Sequence, residues 1–386
     1  MRVLGVVVEF NPMHNGHHYF IEQAKKIVNP NITIAVMSSS FSMRGDAMVI
    51  DKWSRAKFAL DYGIDIVLEL PYLASVNSAD YFCYNAIKTL SMFSITDIAF
   101  GVELDNLEKL NNIKNLISSD SFNLIIKEYL DKGLSYANSS YQALKQLTDD
   151  EEIIQSYSLP NNTLAIGYLK AIDELKLNIQ INLIKRIANN YFDEVVNDTN
   201  INSATSLRKE IALGHDISNH TKIDYAYFNP KITNQNLLYL LRYNFITKPI
   251  NEFKEVSGVN EGIENRINSF INDAKDYEDL IKLVQTKRYS QNRIKRIFLN
   301  ILLNINKQYE NKHHYYLRIL AMNNNGVNYV NTLPKPIKKQ IITSFKNISN
   351  YLVDTEIEVS KLFGLINNQP QIYENEYKMP YIKGVM

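Results

Sequence analysis

A chain of 386 residues, 45% hydrophobic and 22% charged, carries enough apolar material for a sizeable core, and its length points to two domains. A net charge of +1 gives no global pull toward nucleic acid or an acidic surface, so any basic face has to be local. The single Cys83 excludes a disulfide framework and a cysteine-based metal site, and suits a reducing cytoplasm.

The apolar run Val3–Val8 reads as a strand buried on both faces, as in the middle of a parallel sheet. Asn11-Pro12 breaks it, because proline has no N–H to give a central strand. His14, Gly16 and His17 then stand where a helix begins, running on through Ile21, Ala24 and Ile27. Strand, tight turn and helix N-terminus in that order make an anion site, with Gly16 allowing a phosphate close to the backbone. His14 and His17, three apart, share one helical face. The run ends at Glu9 with no small-residue cleavage site, so no secretory signal is expected. No apolar stretch reaches the roughly 18 residues of a membrane span.

Further strands are expected at residues 32–37, 64–70, 97–101 and 181–187, separated by helical patterns. This alternation indicates a doubly wound α/β sheet, with ligands beyond the carboxyl ends of the strands. Residues 106–150 have helical spacing and form an insertion. Leu159-Pro-Asn-Asn162 opens a helix, and Ser203-Ala-Thr-Ser-Leu-Arg208 is a second capped helix start with a cation one turn in. The alternation stops near residue 215, which places a catalytic unit at 1–215 and a mainly helical one at 216–386. Within the latter, residues 280–309 hold seven lysines and arginines and no acid. Lys287, Arg288, Arg293, Lys295 and Arg296, beside Tyr289, suit an RNA backbone and a stacked base.

Phe10-Asn-Pro-Met-His14-Asn-Gly-His17 after an N-terminal strand resembles the HxGH nucleotidyltransferases, a branch of the HUP-type α/β folds. Further segments extend the likeness to the bacterial tRNA(Met) cytidine acetate ligases. They include Met43-Arg-Gly-Asp-Ala47, Leu68-Glu-Leu-Pro-Tyr72, Pro160-Asn-Asn-Thr-Leu164, Ile184-Lys-Arg-Ile187, Ser203–Arg208, Thr286-Lys-Arg-Tyr289 and Arg318–Met322. The chain departs from the family pattern just after Arg186, at Ala188–Asp193, and residues 327–386 add little to the resemblance.

The resemblance implies that ATP and acetate form acetyl-adenylate, whose acyl group passes to N4 of the wobble cytidine of elongator tRNA(Met). It implies an ATP site on Val7, Glu9, Phe10, Asn11, Pro12, His14, Gly16, His17 and Phe20, with Gly101, Asn162, Arg186, Ile187 and Arg208. His14 and His17 would stabilise charge at the α-phosphate, Arg44 is a further phosphate or tRNA candidate, and Mg²⁺ would arrive with ATP. Two other functions share the first domain: a small-molecule adenylyltransferase, and a nucleotide- and RNA-binding protein without turnover. The acid-free basic stretch argues against the former, and the intact histidine pair against the latter.

Overall fold

The computed structural model describes residues 1–186, 203–227, 234–310 and 314–384. β1 (Val3–Val8), apolar on both faces, lies inside the sheet, flanked on one side by β2 (Ile32–Ser38) and then β3 (Ile66–Leu70). On its other side run β4 (Asp97–Val102) and β5 (Gln180–Lys185). All five are parallel, in the doubly wound order 3-2-1-4-5, and the winding reverses between β1 and β4. Such a reversal opens a crevice beyond the strand ends.

Residues 106–150, read from the sequence as an insertion, carry the helices Leu107–Ile117, Asp120–Asp131 and Tyr136–Leu147, and a fourth helix, Glu151–Tyr157, follows them. Each starts at a side-chain cap, from Asn106, Ser119, Ser135 and Asp150 respectively. Phe122, Ile126, Ala143 and Leu144 give it a small core of its own. The following helix, Pro160–Glu174, packs on the helix Ala79–Met92, where Gly167 leaves room for the buried Cys83. A Cβ at Gly167 would stand 2.7 Å from the Cys83 sulfur.

The second half is helical from Asn234–Thr247 through Ile263–Phe270 and Tyr277–Val284 to Gln291–Leu302. Beyond these helices it departs from the expected division. β6 (Leu317–Met322) returns to the sheet antiparallel to β3, and the short strands β7 (Ile341–Ile342) and β8 (Tyr381–Ile382) pair with β6. Every residue of β6 is buried, so its apolar run finds both faces covered only inside the sheet. The helical half does not stand apart either. Phe41, Met48, Tyr72 and Leu73 from the first half share one apolar cluster with Leu238, Ile281 and Phe298. Phe363, from the late helix Tyr351–Ile366, completes that cluster.

A cluster of buried charge joins the late segments to the sheet. Lys52, Glu69, Glu356 and Glu376 are all fully buried, and Arg318 nearly so. Lys52 Nζ lies 3.0 Å from Glu356 and 2.7 Å from Glu376, and also pairs with Glu69. Arg318 pairs with Glu69 at 3.0 Å and with Glu376, and the Tyr316 hydroxyl donates to Glu69 at 2.7 Å. Burial alone would lower Lys52, but the three carboxylates together hold its ammonium above the ordinary value. Burial raises the Glu356 carboxyl to about 7, with Glu69 and Glu376 pushing the same way and Lys52 pulling against them. Among the described residues, no helix is long and apolar enough to cross a membrane.

Candidate active site

The crevice at the β1–β4 reversal holds a cavity of about 290 Å³. Its floor is the turn between β1 and the helix Asn15–Val28. Phe10 takes a left-handed backbone conformation, and the Asn11–Pro12 peptide is cis. The turn is held at several points. Asn11 Oδ1 accepts from Val49 N at 2.9 Å, and Arg208 Nη1 donates to the Asn11 carbonyl at 2.8 Å. Buried Arg55 donates to the carbonyls of Glu9 (2.7 Å), Ser38 (3.0 Å) and Ser39, tying together the ends of β1 and β2.

His14 and His17 form a reciprocal cap at the start of the helix. His14 Nδ1 accepts from Gly16 N at 3.0 Å, and His17 Nδ1 accepts from His14 N at 3.3 Å. A nitrogen that accepts carries no proton, so each ring is neutral with its hydrogen on Nε2. Burial pushes His14 well below the ordinary imidazole value, and His17, Arg186, Arg208 and His220 push the same way. His17 falls to about 3, through burial first and Arg186 second. Both rings are therefore uncharged Nε2–H donors at neutral pH, backed by the partial positive charge of a helix N-terminus.

Most of the residues expected at the nucleotide meet on this cavity. Val7, Glu9, Phe10, Asn11, His14, Gly16, His17 and Phe20 line it from β1 and the first helix. Gly101, Arg186 and Arg208 line it from β4, the end of β5 and the helix Ala204–Leu213, whose cap is Ser203. Two do not. Pro12 is buried in the turn without lining the cavity. Asn162 is fully buried, and its side chain is committed to structure. Its Oδ1 accepts from Glu103 N and Leu104 N, both at 3.0 Å, while Nδ2 donates to the Ser156 carbonyl at 3.1 Å. The neighbouring Asn161 lines the cavity instead, 3.4 Å from Arg186 Nη1. Ile187 and the loop 188–193 lie outside the described residues.

The wall also contains a loop, residues 41–47, from which Arg44 and Asp46 face the cavity. Glu9 fixes it by accepting from Met43 N at 2.8 Å. Burial raises the Glu9 carboxyl against this hydrogen bond and the charges of Arg44, Arg208 and Arg55. Arg44, Lys185, Arg186 and Arg208 outnumber the two carboxylates, Glu9 and Asp46, so the wall favours a polyanion.

The basic stretch divides in two. Lys287 and Arg288 are exposed, and Arg288 pairs with Glu261 at 2.9 Å. Arg293 lies 4.1 Å over the Tyr289 ring. Tyr289 itself is buried and donates its hydroxyl to the Asn260 carbonyl at 2.6 Å, so it offers no face to a base. Lys295 and Arg296 turn inward to the 41–47 loop: Lys295 Nζ is 2.8 Å from Asp46 Oδ1, and Arg296 Nη1 is 3.2 Å from the Met43 carbonyl.

The family model for the HIGH nucleotidyl transferases matches residues 1–378. A tRNA(Met) cytidine acetate ligase from Staphylococcus aureus strain MRSA252 is 34% identical, with 99% of each chain covered. One from Oceanobacillus iheyensis is 35% identical, covering 98% of this chain and 99% of the relative. The crystal structure of apo Thermotoga maritima TmcAL is 26% identical and superposes with a TM-score of 0.87 over 99% of both chains. A second structure of that protein, bound with alpha-thio ATP, gives 0.85 at 25% identity over the same share. With the histidine motif at the β1 turn and likeness over nearly the whole length, this chain belongs to the HIGH nucleotidyl transferase family and, within it, to the tRNA(Met) cytidine acetate ligases.

Proposed function

We propose that this chain is an ATP-dependent acetate ligase that acetylates N4 of the wobble cytidine of elongator tRNA(Met), working in the cytoplasm. The supporting observation is the switch-point cavity with its neutral histidine pair and cationic wall, in a chain alike over nearly its full length to proteins of that name.

An acetate oxygen attacks the α-phosphorus of ATP, and the bond to the pyrophosphate oxygen breaks. Two anions have to meet, so the site's task is to neutralise charge and hold the pair in line, and no protein nucleophile is needed. The Nε2–H groups of His14 and His17 would donate to phosphate oxygens as charge shifts onto them, with Arg44, Arg186 and Arg208 alongside. Mg²⁺ would accompany ATP, held mainly by phosphate oxygens and water, since Glu9 accepts from Met43 N and Asp46 pairs with Lys295. In the second step N4 of cytidine attacks the acyl carbon, the bond to AMP breaks, and N4 loses a proton. Lys287, Arg288 and Arg293 would meet the tRNA backbone.

Incubation with ATP, labelled acetate and bulk bacterial tRNA, followed by nucleoside analysis, tests this reading. Label on N4-acetylcytidine is the expected result. Acetate-dependent pyrophosphate release without labelled tRNA would move the acyl acceptor elsewhere, and no turnover would leave a binding protein.

A further inference from the structure

Five cations were grouped by the sequence on one RNA-facing surface, yet two of them point into the protein. The loop Phe41–Ala47 closes on itself through Ser42 N to the Asp46 carbonyl at 2.8 Å, Gly45 N to the Ser42 carbonyl at 2.9 Å, and a bridge between Phe41 and Ala47. The Met43 peptide is gripped from both sides. Its N–H donates to Glu9 at the end of β1, and its carbonyl accepts from Arg296 on the helix Gln291–Leu302. Gly45, with φ of 86°, lies flat on that helix, where a Cβ would stand 2.8 Å from Lys295 Cβ and 2.9 Å from Arg296 N. The Lys295–Asp46 pair closes the contact, with side chains only 15% and 28% exposed. Burial would raise the Asp46 carboxyl, but Lys295, Arg208 and Arg44 outweigh it and hold the group ionised. Arg44, between these anchors, lines the cavity.

We propose that Lys295 and Arg296 are positioning residues for the adenylation half-reaction, holding the 41–47 loop so that Arg44 faces the triphosphate. This rests on the acetate ligase reading for the reaction, but for nucleotide binding it stands on the cavity alone. The helix Gln291–Leu302 therefore serves two substrates, with Arg293 toward the tRNA and Lys295 and Arg296 toward ATP.

The test omits tRNA altogether. ATP affinity is measured by titration calorimetry, and adenylation by acetate-dependent exchange of labelled pyrophosphate into ATP. Lys295→Met is expected to weaken ATP binding and slow exchange by about tenfold, the scale of a misplaced contact group. Lys295→Arg should keep most of both, and the charge exchange Asp46→Lys with Lys295→Asp should recover part of the loss, which a general loss of stability would not allow. Lys275→Met, an exposed lysine of the same half, should change neither by more than about twofold. ATP affinity and exchange in Lys295→Met within about twofold of the parent overturn the proposal and return the residue to the tRNA surface. If the parent binds ATP but shows no acetate-dependent exchange, the ligase reading fails, while weaker ATP binding in Lys295→Met still upholds the positioning role.

Discussion

At the scale of single residues, the histidine pair combines two tasks in one geometry. The Nδ1 atoms build the helix start, and this keeps the Nε2–H groups as donors. His17→Ala should reduce acetate-dependent pyrophosphate exchange by about 10²–10³, the cost of removing one preorganised donor to a developing charge. Binding of tRNA by the same variant, followed by filter retention, should stay near the parent's. The pair also carries a pH signature. His17 is held at about 3 in the folded chain against an ordinary 6.5, so between those values the unfolded chain binds the extra proton. Stability from this source is present above about pH 6.5 and is lost as pH falls toward 3. Thermal midpoints from pH 7 to 4 should therefore fall less steeply in His17→Ala than in the parent. The motif itself was legible because it is local: strand, turn, glycine and two histidines fall within fifteen residues of sequence. Asn162 was not, since nothing local separates an asparagine that caps the β4 loop from its neighbour Asn161 on the cavity wall.

At the scale of elements, the helix Gln291–Leu302 shows where charge patterning runs out. Arg293 and Arg296, three residues apart, fall on one side of a helix, but which of them meets water depends on the 41–47 loop, some 250 residues earlier in the chain. Charge reversal at Arg296 would disturb both substrates at once. The cleaner pair for the tRNA surface is Arg288→Glu with Arg293→Glu. Affinity for tRNA should fall and its salt dependence should flatten, because fewer phosphate contacts release fewer counterions. ATP-pyrophosphate exchange without tRNA should be unchanged in this double variant. Equal loss of both activities would mean that the division of the helix into two faces is wrong.

At the scale of the whole molecule, the buried charge cluster binds the end of the chain to its beginning. Lys52 lies between carboxylates from β3, the late helix and the segment around Glu376. Lys52→Met leaves those carboxylates without their ammonium, and urea unfolding should show a loss of about 3–5 kcal/mol, the usual cost of breaking a buried pair. A loss under about 1 kcal/mol would mean that Arg318 alone suffices. Four of the five parallel strands were readable as short apolar runs between turn residues, while β5 alternates apolar Ile181 and Leu183 with polar Gln180 and Asn182. β6 lies in a half whose pattern is otherwise helical, far from the strands it joins in the sheet. The signal was present all the same. An acid at Glu69 and an arginine at Arg318, each inside an apolar strand, mark charges that must find partners in the interior.

The Cys83 thiol, sealed beneath Gly167, has a practical consequence. Burial holds it far above the ordinary thiol value, so it stays protonated and inert toward alkylating dyes. The natural chain is thus its own background for site-specific labelling. A cysteine introduced at exposed Lys287 would take a fluorophore beside the expected tRNA surface, and a second preparation labelled at exposed Lys275 would serve as the reference. Comparing the two emissions would time the arrival of tRNA against the chemistry in the crevice, without altering any residue that lines it.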